Sequence, residues 1–281
     1  MLLRDALTVA VNRLTAARVP SPRMNAELLL MFALNHDRAY LYAHPERQLD
    51  GDEQSRYDQA LDQRALGVPA QYIIGHQEFW GMDFIVSPAV LIPRPETEHV
   101  IETVLPLART MTNPRISDVG TGSGCIGLAL AKELPQAEIH ATDISSDALE
   151  IARANAARHQ LENRIHFHQA DLLQGLGNNR FDLIVSNPPY VGESEEDQVQ
   201  LEVRKFEPRN AVFAGPSGLE VIQRLIPQAR DALKPGGWLV MEISGTIVEG
   251  VKDLLHGWDE VRVTEDLQKI PRVSSAQKIL R

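Results

Sequence analysis

Ser186-Asn187-Pro188-Pro189-Tyr190 is the stretch of this chain whose residue types most directly suggest chemistry. It follows Phe181-Asp182-Leu183-Ile184-Val185, a short apolar run that reads as a buried parallel strand. Proline has a fixed φ and no N–H, so Pro188 presents a carbonyl acceptor without the donor of an ordinary residue. The side-chain carbonyl of Asn187 is a second acceptor. Two acceptors beside an aromatic ring suit a planar group carrying an NH2, whose hydrogens are held while the nitrogen faces an activated methyl group. Pro188 and Pro189 alone would be an ordinary loop break. Asn187 before them and Tyr190 after them, at the carboxyl end of a strand where α/β sheets bind ligands, favour a pocket. Asn187, Pro188 and Tyr190 are therefore the candidate catalytic residues, with Pro189 completing the substrate-binding set.

A second constellation lies upstream. Arg115-Ile116-Ser117-Asp118-Val119 reads as a strand, and Gly120-Thr121-Gly122-Ser123-Gly124 then turns into a helix, an arrangement that admits close backbone approach to a ligand. Gly122-Ser123-Gly124-Cys125-Ile126-Gly127 also matches the dinucleotide fingerprint, a weak signal by itself. Asp118 argues against a pyrophosphate, which its carboxylate would oppose. That carboxylate can order the glycine turn and receive the ammonium of a cofactor bearing an amino acid. The cofactor so indicated is S-adenosylmethionine. Asp143 ends the next strand, 21 residues past Gly122, where a carboxylate accepts both ribose hydroxyls. Arg164–Asp171 reads as the third strand, and Asp171 with Leu172 falls at the adenine edge. Ile144 and Asn187 are placed with the cofactor contacts.

Several elements must hold these residues. Alternation of strands and helices from residue 99 onward predicts an α/β fold, a doubly wound and mostly parallel sheet. Its later parts are a helix over Leu219–Leu233, a turn at Lys234-Pro235-Gly236-Gly237, a strand at Trp238–Ile243, a helix near Ile247–Leu255, and strands near Val261 and Ile279. Residues 191–214 read as a long polar loop, a candidate lid. Residues 1–75 read as a small helical bundle, with Ser21 capping a second helix that has Pro22 in its first turn. Residues 76–98 read as a connector, a hairpin around Gly81 followed by the extended Ile92-Pro93-Arg94-Pro95.

Of 281 residues, 43% are apolar and 23% charged, an ordinary globular balance. The single cysteine, Cys125, excludes an intramolecular disulfide framework and a cysteine-cluster zinc site. His36 and His44 read as surface residues, His166 and His168 as structural ones, and no metal is expected. The net charge of −10 disfavours tight binding to nucleic-acid phosphates. It is uneven: residues 1–75 carry 8 basic and 9 acidic side chains, the remainder 20 and 29. With no segment long and apolar enough to span a bilayer, a soluble cytoplasmic protein without membrane partners is expected.

Taken in order, Asp118–Gly124, Asp143, Asn187–Tyr190 and Lys234–Gly237 resemble a class I S-adenosylmethionine-dependent methyltransferase of the amino-methylating branch, with a seven-stranded sheet. Leu66–Tyr72, Gly75, Glu78-Phe79-Trp80-Gly81, Leu91–Glu98, Val203-Arg204 and Phe206-Glu207-Pro208 narrow the resemblance to the release-factor glutamine methyltransferases, the HemK/PrmC family. It covers about residues 1–265. It implies that residues 1–75 and the hairpin help recognise a class 1 peptide chain release factor. It also implies methylation of the glutamine amide nitrogen in that factor's Gly-Gly-Gln loop, with Asn187 and the Pro188 carbonyl holding the amide, Tyr190 packing near it, and a monomeric enzyme. A ribosomal-protein glutamine or a nucleic-acid adenine are alternative acceptors. Ser244, where the family has glycine, and the tail Ile270-Pro271-Arg272 depart from the pattern.

Overall fold

The computed structural model describes residues 1–176 and 181–280. Two compact units emerge: Met1–His76 with Gln200–Phe206, and Gln77–Val199 with Glu207–Arg281. The helical unit is thus more than the stretch 1–75. It holds α1 (Leu3–Ala16), α2 (Pro22–Leu34), α3 (Arg38–Ala43), α4 (Gly51–Ala65) and α5 (Ala70–Ile74). Leu3, Ala6, Ala10 and Leu14 recur at helical spacing and are buried against Ala26, Leu30, Tyr57 and Leu61. Asp50 and Glu53 form a reciprocal capping box at the start of α4. Ser21 does not cap α2 as expected: it takes a left-handed conformation and its hydroxyl bonds no helix amide, while Pro22 stands in the first turn. Arg64, nearly buried, donates to Asn25 Oδ1 (2.7 Å) and the Val68 carbonyl (3.0 Å), and pairs with Glu202 (2.7 Å) on α9 (Leu201–Phe206).

The second unit begins with the hairpin β1 (His76–Phe79) and β2 (Met82–Ile85), turned through Trp80 and Gly81, both at positive φ. There follow α6 (Glu98–Ala108), β3 (Arg115–Val119), α7 (Cys125–Glu133), β4 (Glu138–Asp143), α8 (Ser146–Arg158), β5 (Ile165–Gln169) and β6 (Phe181–Ser186). Beyond them lie β7 (Val191–Gly192), α10 (Arg209–Val212), β8 (Phe213–Gly215), α11 (Glu220–Ala232), β9 (Leu233–Glu242), α12 (Val248–Leu254), β10 (Asp259–Glu265) and β11 (Pro271–Gln277). The seven-stranded sheet runs β10-β11-β9-β6-β3-β4-β5. Strands β9, β6, β3, β4 and β5 are parallel, and β11 is antiparallel to both of its neighbours.

Register is what positions the chemistry. Val119 pairs with Ser186, Ser186 with Met241, and Val119 with Thr142, so the segments after β3, β4, β6 and β9 leave from one edge. From β3 the chain moves outward to β4 and β5, then crosses to β6 on the other side. That reversal opens the crevice where ligands bind in such sheets. Alternation along the strands feeds two cores: Ile116, Leu183 and Val185 face Val104 and Leu128, whereas Phe181, Ile184 and Leu239 face Ile222, Leu225 and Ile226.

Three sequence expectations need correction. Residues 191–214 are no plain loop: β7 pairs with β8, a 3-10 helix covers Glu193–Gln198, and a bidentate Arg209–Glu196 pair (2.7 and 2.8 Å) ties the segment. The turn expected at Lys234–Gly237 lies inside β9, which meets β6 through a register irregularity between Leu233 and Trp238. The last strand is Pro271–Gln277, ending before Ile279. Ser244, the departure from the family pattern, has φ −91° and so needs no glycine; its Oγ accepts from the Thr246 amide (3.2 Å). His140 on β4 stacks on His168 and meets His166 at a tilt (centroids 5.3 and 5.0 Å), but among the described residues no histidine, cysteine or carboxylate cluster could hold a metal ion. No helix among the described residues is long and apolar enough to cross a membrane.

Candidate active site

A cavity of about 450 Å³ opens at this sheet edge, within the size range of small-molecule sites. Ten of the residues singled out from the sequence line it: Gly120, Thr121, Gly122, Ser123, Asp143, Ile144, Asp171, Leu172, Asn187 and Pro189. Asp118, Gly124, Pro188 and Tyr190 are not on its wall. The extended connector supplies a further wall through Val90, Leu91, Pro93, Arg94 and Thr97. It is held by Glu207, which accepts from the Ile92 amide (3.0 Å) and pairs with Arg94.

The glycine turn is braced from below and from both sides. Gly120 and Gly122 have φ of +70° and +55°, and a Cβ at either would meet no protein atom within 4 Å, leaving room beside the turn for a ligand. Gly124, at φ +85°, serves packing as well: its Cβ would stand 3.0 Å from Leu128 and 3.3 Å from Ala152. Asn155 on α8 receives the Ile85 amide (2.6 Å) and donates to the Ile85 and Ser123 carbonyls (3.0 and 2.9 Å), tying the hairpin to the turn. Asp143 accepts from the Gly122 amide (2.9 Å) with one oxygen and from Ser145 (2.9 Å) with the other. Burial raises its pKa, and the amides of Ser145, Gly122 and Ile144 oppose that rise. The helix cap that Asp143 could have supplied comes from Ser145, whose Oγ accepts from Ala148 (3.2 Å). Asp171 pairs with Arg224 at the rim, and Ile144 leaves an apolar side chain 57% exposed there.

Asp118 is fully buried beneath the turn. One oxygen accepts from Thr121 Oγ1 (2.6 Å) and the Gly127 amide (2.9 Å), and Oδ1 has no partner. Burial pushes its carboxyl up to about 6 from 3.8. The folded state thus keeps a proton that the unfolded chain has lost, so stability falls as pH rises between those values and the loss is complete above the upper one. The shift corresponds to about 3 kcal/mol. Urea unfolding without added cofactor should show Asp118→Asn gaining roughly that much on the wild type between about pH 4 and pH 7. A difference that does not vary with pH would show that Asp118 is not the titrating group.

The residues hardest to foresee stand behind Asn187. Its Nδ2 donates to Thr97 Oγ1 (3.0 Å), Thr97 donates to Glu242 Oε2 (2.6 Å), and the Tyr190 hydroxyl donates to Glu242 Oε1 (2.9 Å). The Tyr190 ring packs on the core beside β9 and its hydroxyl serves Glu242. Glu242 is fully enclosed; burial raises its pKa, and the two hydroxyl donors pull it back. Neither Thr97 nor Glu242 was among the site residues singled out from the sequence. The available signal was an acid closing the apolar strand Trp238–Met241.

The residues present fit S-adenosylmethionine: an acceptor at Asp143, an unpartnered buried oxygen at Asp118, and an uncovered apolar side chain at Ile144. A parallel sheet with one antiparallel strand near its edge, a glycine turn after β3 and this pocket define a class I S-adenosylmethionine-dependent methyltransferase. Residues 5–75 match the PrmC N-terminal domain and residues 100–205 the methyltransferase small domain. The chain is 56% identical over 279 residues to a release factor glutamine methyltransferase of Koribacter versatilis, covering 99% of both chains. It is 45% identical over 254 residues to that of Moorella thermoacetica, covering 90% and 89%. The chain belongs to the release factor glutamine methyltransferase family. A solved methyltransferase from Pyrococcus furiosus shares the fold at a TM-score of 0.52 and 19% identity, over 80% of this chain and 99% of that one.

Proposed function

We propose that this chain transfers a methyl group from S-adenosylmethionine to the side-chain amide nitrogen of the glutamine in the Gly-Gly-Gln loop of class 1 peptide chain release factors. The observation that carries the reading is Asn187 on the cavity wall, its amide NH2 committed to Thr97, so that its carbonyl is the group left for a substrate N–H. Bound at the glycine turn, the cofactor supplies an electron-poor sulfonium methyl. The chain's own residues must do the rest.

An amide nitrogen is a poor nucleophile because its lone pair is delocalised into the carbonyl. Asn187 Oδ1 and the Pro188 carbonyl, each taking one of its hydrogens, aim the nitrogen and favour a pyramidal geometry. Placement of this kind supplies on the order of 7 kcal/mol or more. No strong base is required, because the nitrogen becomes acidic as it is alkylated. Asp143 would accept the ribose hydroxyls, Asp118 would serve the ammonium through the turn it orders, and Ile144, Asp171 and Leu172 would border the adenine. The helical unit, which has its own apolar core, serves to dock the protein substrate.

The test is incubation of the purified chain with methyl-labelled cofactor and a release factor, a ribosomal protein or DNA in separate reactions. Label should enter the release factor and be lost when its loop glutamine is replaced by alanine. Label in the ribosomal protein or the DNA instead would assign a different acceptor.

A further inference from the structure

Hydrogen-bond direction along Asn187–Thr97–Glu242–Tyr190 is determined by how many protons each group owns. Glu242 takes a hydroxyl on each oxygen, Thr97 on Oε2 (2.6 Å) and Tyr190 on Oε1 (2.9 Å), so both of its oxygens act as acceptors. Thr97 has one hydroxyl proton, and it is spent on Glu242. Toward Asn187, then, Thr97 can only accept, and the NH2 of Asn187 must turn to it. The Asn187 carbonyl is left as the group on offer. With its NH2 held, the Asn187 amide has one orientation out of two sterically equal ones. Thr97 is 2% exposed and Glu242 3%, so solvent does not compete for these bonds.

We propose that Glu242, acting through Thr97, is a positioning residue that sets the amide polarity of Asn187, and thereby restricts the acceptor to groups that bring N–H donors, a carboxamide rather than a carboxylate of the same shape. The inference rests on the glutamine reading above and deepens it: selectivity against glutamate is built behind the pocket, two side chains away from the substrate.

The experiment uses the full chain and two forms of the release factor, one with glutamine and one with glutamate in the loop. Thr97→Val keeps the shape and removes the hydroxyl, leaving Asn187 free to turn its NH2 toward the cavity. Turnover on the glutamine form should fall about tenfold or more, with cofactor affinity within about twofold of wild type. The ratio of dissociation constants for the glutamate and glutamine forms should shrink by about tenfold, because an NH2 now meets the carboxylate. Thr97→Ser, which restores the hydroxyl, should recover both quantities, an outcome that a general packing defect would not produce. Thr97→Ala removes the same hydroxyl without adding a methyl group and gives the same readings should the valine variant fold poorly. Failure of the wild type to methylate the glutamine form would overturn the substrate reading and this inference together. Wild-type transfer with a valine or alanine variant that keeps both turnover and the preference for glutamine would overturn the polarity relay alone.

Discussion

Asn187→Ala should lower turnover on the release factor by about 10² or more while leaving the dissociation constant of S-adenosylmethionine within a few fold. The asymmetry follows from where the side chain stands. Asn187 closes the cavity at the end of β6, whereas the glycine turn and Asp143 leave β3 and β4. Its loss removes one of the two acceptors that orient the amide, so the nitrogen is no longer aimed at the methyl. Binding surface for the cofactor is nearly unchanged. Single-turnover transfer of labelled methyl at saturating cofactor measures the first quantity and calorimetry the second. Turnover within a few fold of wild type would show that the amide is held by some other group.

Asp143→Ala should have the opposite profile. The carboxylate is braced by the Gly122 and Ser145 amides, and each oxygen retains acceptor capacity for a hydroxyl. Hydrogen bonds to a charged group contribute about 1.5–3 kcal/mol each, so losing the pair should weaken cofactor binding by about 10²-fold or more. Loss of the brace on Gly122 adds to the effect. Turnover at saturating cofactor should fall far less, because nothing at the nitrogen has changed. Calorimetric titration decides it, and an unaltered dissociation constant would place the ribose hydroxyls elsewhere.

The sheet and the pocket's walls were legible in the chain because their signals are local. The apolar run Phe181–Val185, the glycines at 120, 122 and 124, and the interval from Gly122 to Asp143 each carry their meaning within a few residues or one βαβ step. What escaped depends on contacts far apart in sequence. Thr97 meets Glu242 across 145 positions and Asn187 across 90, and Asn155 reaches Ile85 across 70. No window of sequence contains both partners, and each residue taken alone has an ordinary helical or strand role. The bond from the Tyr190 hydroxyl to Glu242, across 52 positions, was hidden for the same reason. Residues 191–214 hid their order because the segments are short, and their bracing pair, Glu196 with Arg209, has no helical spacing.

The clustering of Gln200–Phe206 with Met1–His76 bears on any attempt to exchange helical units between relatives. A graft cut once, after residue 76, would carry Arg64 into the recipient and leave its counter-ion Glu202 behind, so that a guanidinium 4% exposed here loses the carboxylate that neutralises it. A workable chimera therefore needs two excisions, so that the seven-residue patch travels with its helices.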